Sequence, residues 1–260
     1  MSWAGGTFGR VGTCVLADNA SPMTLDGTNT WVLRAPGSER SVVVDPGPLA
    51  DAHLAAIAAA AGEVATVLLT HHHLDHSEGA RAFAEAAGCG VRALDPAYRL
   101  GGEGLHDGDV VAVGDLEIRV VATPGHTADS LSFLVAAERA VLTGDTVLGR
   151  GTTVVAHPDG ELGAYLGSLD RLHRLAETHE LRTIWPGHGP VIHDALAVLD
   201  HYVAHRHQRL DQVREALRTL DPTRPDLPRA VVERVYADVD EVLWPAAELS
   251  VRAQLAYLQG

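Results

Sequence analysis

Thr70-His71-His72-His73-Leu74-Asp75-His76 follows directly on Val64-Ala65-Thr66-Val67-Leu68-Leu69, and the junction of the two decides how the chain folds. A short apolar run rich in β-branched residues and stopped by polar ones is a strand buried on both faces. Where helices are layered on sheets, the ends of such strands carry binding and catalytic groups. Val42-Val43-Val44, stopped by Asp45-Pro46-Gly47, is a second strand of this kind. An Ala-rich helix over about 49–61 lies between them and another over 79–87 follows, so this part of the chain is expected to be an α/β layer structure.

Further along, 110–113, 116–121, 131–135 and 140–142 are predicted strands joined by Gly, Asp and Glu-Arg turns, the pattern of antiparallel hairpins. A helix is expected over 162–176 and a strand at Thr183-Ile184-Trp185. A long helix over 195–220 carries Arg206, Arg209, Arg214 and Arg218, with Asp211 and Glu215 spaced to pair with them. Asp221-Pro222-Thr223-Arg224-Pro225 then breaks the chain, and short helices are expected to its end. The organisation predicted is a main α/β domain over 1–195, a connecting helix over 196–220 and a small helical extension over 221–260.

Each of three further turns follows a strand-like run and offers one residue that can hold a metal: His126 in Thr123-Pro124-Gly125-His126-Thr127, Asp145 in Thr143-Gly144-Asp145-Thr146, and His188 in Pro186-Gly187-His188-Gly189. A zinc site takes imidazoles and carboxylates at about 2.0–2.2 Å, and a catalytic one keeps a position for water. Alternation in His71-x-His73 turns two rings to one side for one ion, with His126 completing the set. Asp75 and His76, after the chain turns, face a neighbouring ion completed by His188. Asp145 bridges both, and a water shared by the two ions becomes hydroxide near neutral pH. Two Zn2+ ions are the expected cofactor, with Mn2+ or Fe accepted by the same donors. A surface cluster of turn histidines is the competing reading, and four separate segments fitting one template speak against it.

Composition narrows the chemistry. The 260 residues carry 20 basic and 34 acidic side chains for a net charge of −14, so the average field repels nucleic acid and anionic membranes. All 20 basic residues are Arg, which excludes Schiff-base, phosphate-loop and Ser–Lys mechanisms. Cys14 and Cys89 lie apart with no CxxC partner, the N-terminus has no charged and apolar leader pattern, and no apolar run reaches about 20 residues. A cytoplasmic protein with no membrane contact and no obligate protein partner is expected.

The HxHxDH cluster followed by a His, an Asp and a last His resembles the metallo-β-lactamase fold superfamily over roughly residues 10–195, with all seven positions matched. The resemblance implies an αββα sandwich with a dinuclear metal site along its edge. Within the superfamily, Gly27-Thr28-Asn29-Thr30-Trp31, Gly149-Arg150-Gly151-Thr152-Thr153-Val154, Pro186 to His193 and Tyr202-Val203-Ala204-His205-Arg206 resemble the branch named for β-lactamase-like protein 2. That branch carries a winged-helix-like extension, which Leu243-Trp244-Pro245-Ala246-Ala247-Glu248 resembles, and the wing is expected to be truncated at Gly260. Its animal members are mitochondrial endoribonucleases, which implies a single-stranded RNA substrate and a hydroxide nucleophile oriented by Asp75.

RNA is the leading expectation; the alternative, favoured by the acidic balance, is a small ester, thioester or lactone, as in glyoxalase-II-type thioesterases, although those usually hold glutathione with lysine. Zinc β-lactamases place Cys where Asp145 stands, so antibiotic hydrolysis is not expected. A non-catalytic metal-binding or redox module is the alternative of another class. Lost ligands or a second electron-carrying domain would be expected for it. Asn29, Thr152, His205 and Arg206 are candidate substrate contacts, weighed against loop capping for the first two and a solvated helix face for the last two. Asp45 before Pro46-Gly47 is read as a turn former, with support of a metal ligand through a hydrogen bond as the alternative, and His72 as lying outside the ligand set.

Overall fold

The computed structural model describes residues 3–259. Its first sheet has six strands in the order β1 (Gly6–Phe8), β2 (Gly12–Leu16), β3 (Asn29–Leu33), β4 (Arg40–Val44), β5 (Glu63–Leu68) and β6 (Gly90–Arg92). The first four pair antiparallel, and β5 joins β4 and β6 in parallel. Parallel neighbours need crossovers, here α1 (Asp51–Ala61) and then the single turn α2 (Leu74–Ser77) with α3 (Ala80–Ala87). The second sheet contains β7 (Val110–Val113), β8 (Leu116–Ala122), β9 (Leu131–Val135) and β10 (Ala140–Gly144), joined as the expected antiparallel hairpins. After α4 (Leu162–Thr178), β11 (Thr183–Pro186) adds to β10 in parallel. Three helices follow: α5 (Ala195–Leu217), α6 (Leu227–Val235) and α7 (Trp244–Gln259).

Strand alternation builds the layers. Val42 and Val44 point into the core between the sheets, where they join Leu68, Ile118, Phe133 and Trp185. Val43, between them, points outward to Val67, to Ile57 of α1 and to Phe83 of α3. In the second sheet Val121, Leu134 and Ile184 turn outward to Leu169 and Leu172 of α4 and Leu199 and Tyr202 of α5. The central strands of both sheets are thus covered on both faces, which gives the αββα sandwich and explains why β4, β9 and β10 appear in the sequence as unbroken apolar runs. A fourth cluster packs Val213 of α5 against Val231 and Val232 of α6 and Val251 and Leu255 of α7. Among the described residues, no helix is long and apolar enough to cross a membrane.

Four strands escape the sequence analysis: β1, β2, β3 and β6. The most consequential is β3, because Asn29 and Thr30 open it and are wholly buried rather than lying in a polar turn. Trp31 and Trp185 stack across the two sheets with ring centroids 4.9 Å apart and planes 15° from parallel. Trp31 Nε1 also donates to the Pro186 carbonyl at 3.1 Å. Trp185→Ala is expected to lower unfolding stability by about 3–5 kcal/mol, the range for emptying a buried Trp site, as read by chemical denaturation.

Candidate metal centre

Five strands end on one edge of the sandwich and each hands over one polar segment: β4 to Asp45, β5 to 70–76, β8 to His126, β10 to Asp145 and β11 to His188. Gly187 permits the last approach. A Cβ there would lie 2.6 Å from Asp145 Oδ1 and 2.7 Å from His76 Cε1, so a side chain would push these two groups apart. Gly125, at φ 130°, likewise lets the His126 turn rest on the α4 backbone, where a Cβ would sit 2.3 Å from Tyr165 N.

All seven sequence-derived positions meet. Donor atoms of His71, His73 and His126 lie within 4.8 Å of one another, as do those of Asp75, His76 and His188, and those of His71, His76 and Asp145. His73 Nδ1 is 3.1 Å from both His71 Nε2 and His126 Nε2. His188 Nε2 is 3.2 Å from His76 Nε2 and 3.1 Å from Asp75 Oδ2. Asp145 Oδ2 reaches both groups, at 3.7 Å from His126 Nε2 and 3.3 Å from His188 Nε2. Donors about 2.0–2.1 Å from a tetrahedral zinc stand about 3.3–3.4 Å from each other, so these spacings fit two ions sharing Asp145. The His/Asp groupings are able to hold a dinuclear metal.

The imidazoles are aimed by what holds their far nitrogens. His126 Nδ1 donates to the Val154 carbonyl at 2.7 Å and His188 Nδ1 to the Gly27 carbonyl at 3.1 Å, and neither acceptor has a proton to give. His76 Nδ1 donates to Asp45 Oδ2 at 2.9 Å. Thr70 Oγ1 commits its proton to that same Asp45 oxygen at 2.6 Å, so it accepts from His71 Nδ1 at 3.0 Å. Four rings therefore turn Nε2 toward the cluster, the nitrogen left for a metal. His73 turns its Nδ1 there instead.

Electrostatics separates the two groups. Burial pushes His71 well below its ordinary value, with His76 and His126 adding to the shift. Burial and then His126 bring His73 down to about 4, and burial lowers His126 too. In His76 and His188 burial works the same way but is outweighed. Asp145, Asp75 and Asp45 raise His76 well above its ordinary value, and Asp145 and Asp75 bring His188 up to about 9. Against the effect of burial, His188 and His76 hold Asp145 well below the carboxylate range, and the same two residues lower Asp75. One group is thus made of neutral rings ready for a cation, and the other holds protons that a cation replaces.

The weaker sequence candidates divide. Asn29 does not face a substrate: it donates to the Pro186 and Gly189 carbonyls at 2.9 and 2.8 Å and accepts from Trp3 Nε1 at 2.7 Å. It is therefore a brace for the His188 loop. Arg206 is 5% exposed, not a solvated helix-surface residue, because it lies over the Tyr165 ring at 4.8 Å and donates to the Thr153 carbonyl. Thr153 in turn donates to the Asp145 carbonyl at 2.6 Å, so α5 steadies the loop beside both Asp145 and His126. Thr152 and His205 line a pocket next to the cluster. His72 turns away to Asp129, at 2.8 Å.

Asp45 fulfils both readings made from the sequence, the turn and the support of a metal ligand. It turns the chain at φ 51°, a region Asp tolerates, and its buried carboxylate accepts from the Thr70 amide, the Thr70 hydroxyl and His76. An acidic residue ending a wholly apolar run was the available signal. Asp45→Asn is expected to weaken metal affinity about 10–100-fold, as loss of support behind a ligand typically does, measured by competition with a chelator.

Residues 23–188 match the family model described as "Metallo-beta-lactamase superfamily", and residues 228–259 the one described as "Beta-lactamase associated winged helix domain". The chain is 34% identical over 244 residues to a "Beta-lactamase-like protein 2 homolog" of Caenorhabditis elegans, spanning 87% of this chain and 76% of that protein. It is also 34% identical over 248 residues to an "Atrochrysone carboxyl ACP thioesterase" of Aspergillus fumigatus, spanning 86% of this chain and 74% of that protein. Among solved structures, a beta-lactamase domain protein from Burkholderia ambifaria shares the fold with a TM-score of 0.81 at 22% identity, over 100% of this chain and 89% of the other.

Proposed function

The chain belongs to the metallo-beta-lactamase superfamily and is a hydrolase of that superfamily, and we propose that it cleaves an ester or thioester with two zinc ions held by the seven His and Asp side chains. The observation that carries the reading is their convergence from four separate segments on one strand edge, at spacings that suit paired tetrahedral ions. When bound, such ions lower the pKa of a water and polarise the attacked group.

The protein's own groups supply the rest. Asp75 keeps 31% of its side chain exposed against 11% for Asp145, so it is the carboxylate a substrate and its attacking water can reach. Held in the ionised form beside His76 and His188, it accepts a hydrogen bond from that water and fixes its direction of approach. Asp145, more deeply buried, keeps its role at the join of the two groups.

Three things support a carbonyl substrate over a polyanion. The net charge of −14 opposes approach of a phosphodiester chain. Two of the three arginines beside the site are already engaged, Arg150 with Asp26 and Arg209 with the Val235 carbonyl and Asp238, and the third, Arg206, is buried. Two relatives are named thioesterases. Single-stranded RNA, the substrate implied by resemblance, is the second reading, and the winged-helix match over 228–259 favours it. A reducing cytoplasm is the proposed setting, since Cys14 and Cys89 are free thiols.

The metal-loaded protein is expected to turn over an acyl thioester, with Asp75→Asn slower by about 10²–10⁴-fold, while labelled single-stranded RNA stays whole on a gel. RNA cleavage that disappears in Asp75→Asn would decide for the second reading. Elemental analysis supplies a separate check on the metal centre. His71→Ala and His188→Ala are each expected to lower bound metal from about two per chain toward one, with activity largely lost.

A further inference from the structure

Beside the cluster lies a pocket of about 310 Å³, near the lower end of the roughly 300–1,000 Å³ usual for small-molecule sites. His126 and Asp145 form part of its wall, so whatever fills it adjoins the reacting bond. Much of the remaining lining is aliphatic and comes from segments distant in the chain: Leu25 and Leu148 from loops at the strand edge, and Val239, Leu243 and Ala246 from the connection between α6 and α7 and the start of α7. Tyr236 is the one Phe, Tyr or Trp side chain of the lining, and the Arg209 guanidinium lies over its ring at 4.7 Å. Such a wall suits hydrocarbon better than a stacked base.

The lining is not purely apolar. Among the described residues, four buried side-chain polar atoms have no hydrogen-bond partner; one, Asp145 Oδ1, faces His76 at 3.4 Å inside the metal cluster, and two others, His205 Nδ1 and Arg206 Nε, belong to residues lining this pocket away from the cluster. Buried polar atoms are ordinarily paired, so a concentration of unpaired ones marks a place where a ligand completes the bonding. Arg206 is fixed by Tyr165 and the Thr153 carbonyl, and its Nε can only donate. Burial, with Arg206 and Arg209 close by, brings His205 down to about 4, so its ring is neutral at physiological pH. A neutral imidazole next to a guanidinium suits an oxygen substituent on an otherwise apolar group.

We propose that this pocket binds the acyl group of the substrate, a medium-length chain bearing a hydroxyl or carbonyl oxygen, with His205 as a specificity-determining residue and the segment leading into α7 as the wall that sets chain length. This rests on the ester or thioester reading above. Placing the acyl chain here leaves the leaving group on the solvent side, beside Asp75.

The test is equilibrium binding of carboxylic acids to the full metal-loaded chain by titration calorimetry, with thioester turnover measured alongside. A buried methylene is worth about fourfold in affinity, so octanoate is expected to bind at least about tenfold more tightly than acetate. Ala246→Trp, and independently Val239→Trp in case the first variant misfolds, is expected to remove that gain. 3-Hydroxyoctanoate is expected to bind about two- to tenfold more tightly than octanoate, the range for one net hydrogen bond, and His205→Leu to erase the difference.

Equal affinity for acetate and octanoate, or a gain that survives both Trp variants, overturns the pocket even where acetyl and octanoyl thioesters are both hydrolysed. A 3-hydroxyl preference that is absent, or unchanged in His205→Leu, overturns the role of His205. A chain-length gain that the Trp variants remove, in a protein that leaves every thioester whole, supports the pocket and overturns the hydrolytic reading instead.

Discussion

A carboxylate with almost no access to water must find its hydrogen bonds inside the protein, and Asp45, 2% exposed at the end of β4, finds all of its partners on the segment that follows β5. Through the Thr70 amide it ties two parallel strand ends together. Through the Thr70 hydroxyl it sets the ring of His71, and directly it sets His76. One side chain therefore orients a ring in each of the two outer donor groups. The turn it starts returns the favour, because Gly47 N donates to the His76 carbonyl and the Gly47 carbonyl accepts from Gly79 N, which pins the single-turn helix carrying Asp75 and His76. Losing one of these bonds leaves a buried charge short of partners, so the network stands or falls together.

What the sequence made legible follows from the sandwich itself. Strands buried on both faces stand out as unbroken runs, which is why β4, β5, β9 and β10 are found within a residue or two, while β7 and β8 show instead the alternation of strands buried on one face. Metal-type ligands on strand ends are equally visible, since His and Asp in turns have few other reasons to recur at this spacing. The strands that escape are those whose burial is achieved with other residues. β2 and β3 contain Gly12, Thr13, Cys14, Asn29 and Thr30, whose polar groups are satisfied by distant partners such as the 186–189 loop. No periodicity in a sequence announces a carbonyl 157 residues away.

Arg206 illustrates the same limit on the helical side. Its place in a charged stripe on α5 suggests a solvated face, and Arg214 and Arg218 do form surface pairs with Asp211 and Glu215. What separates Arg206 is a partner set from other elements, the Tyr165 ring of α4 and the carbonyl of Thr153. Helix position gave the register and tertiary packing gave the environment. For His205 the contrast is sharper still, because its surroundings depend on a connection beyond α6 that lies more than thirty residues further along the chain.

The division of labour along the chain has an evolutionary reading. The groups that can hold metal are drawn entirely from the strand edge of the sandwich, while the wall of the adjoining pocket borrows from α5, from α7 and from the link that leads into α7. Selection can therefore rewrite the link and the start of α7 while leaving every donor atom where it is. A chain built this way can keep one reaction while a short stretch near its C-terminal end, 236–250, changes which molecules are admitted to it.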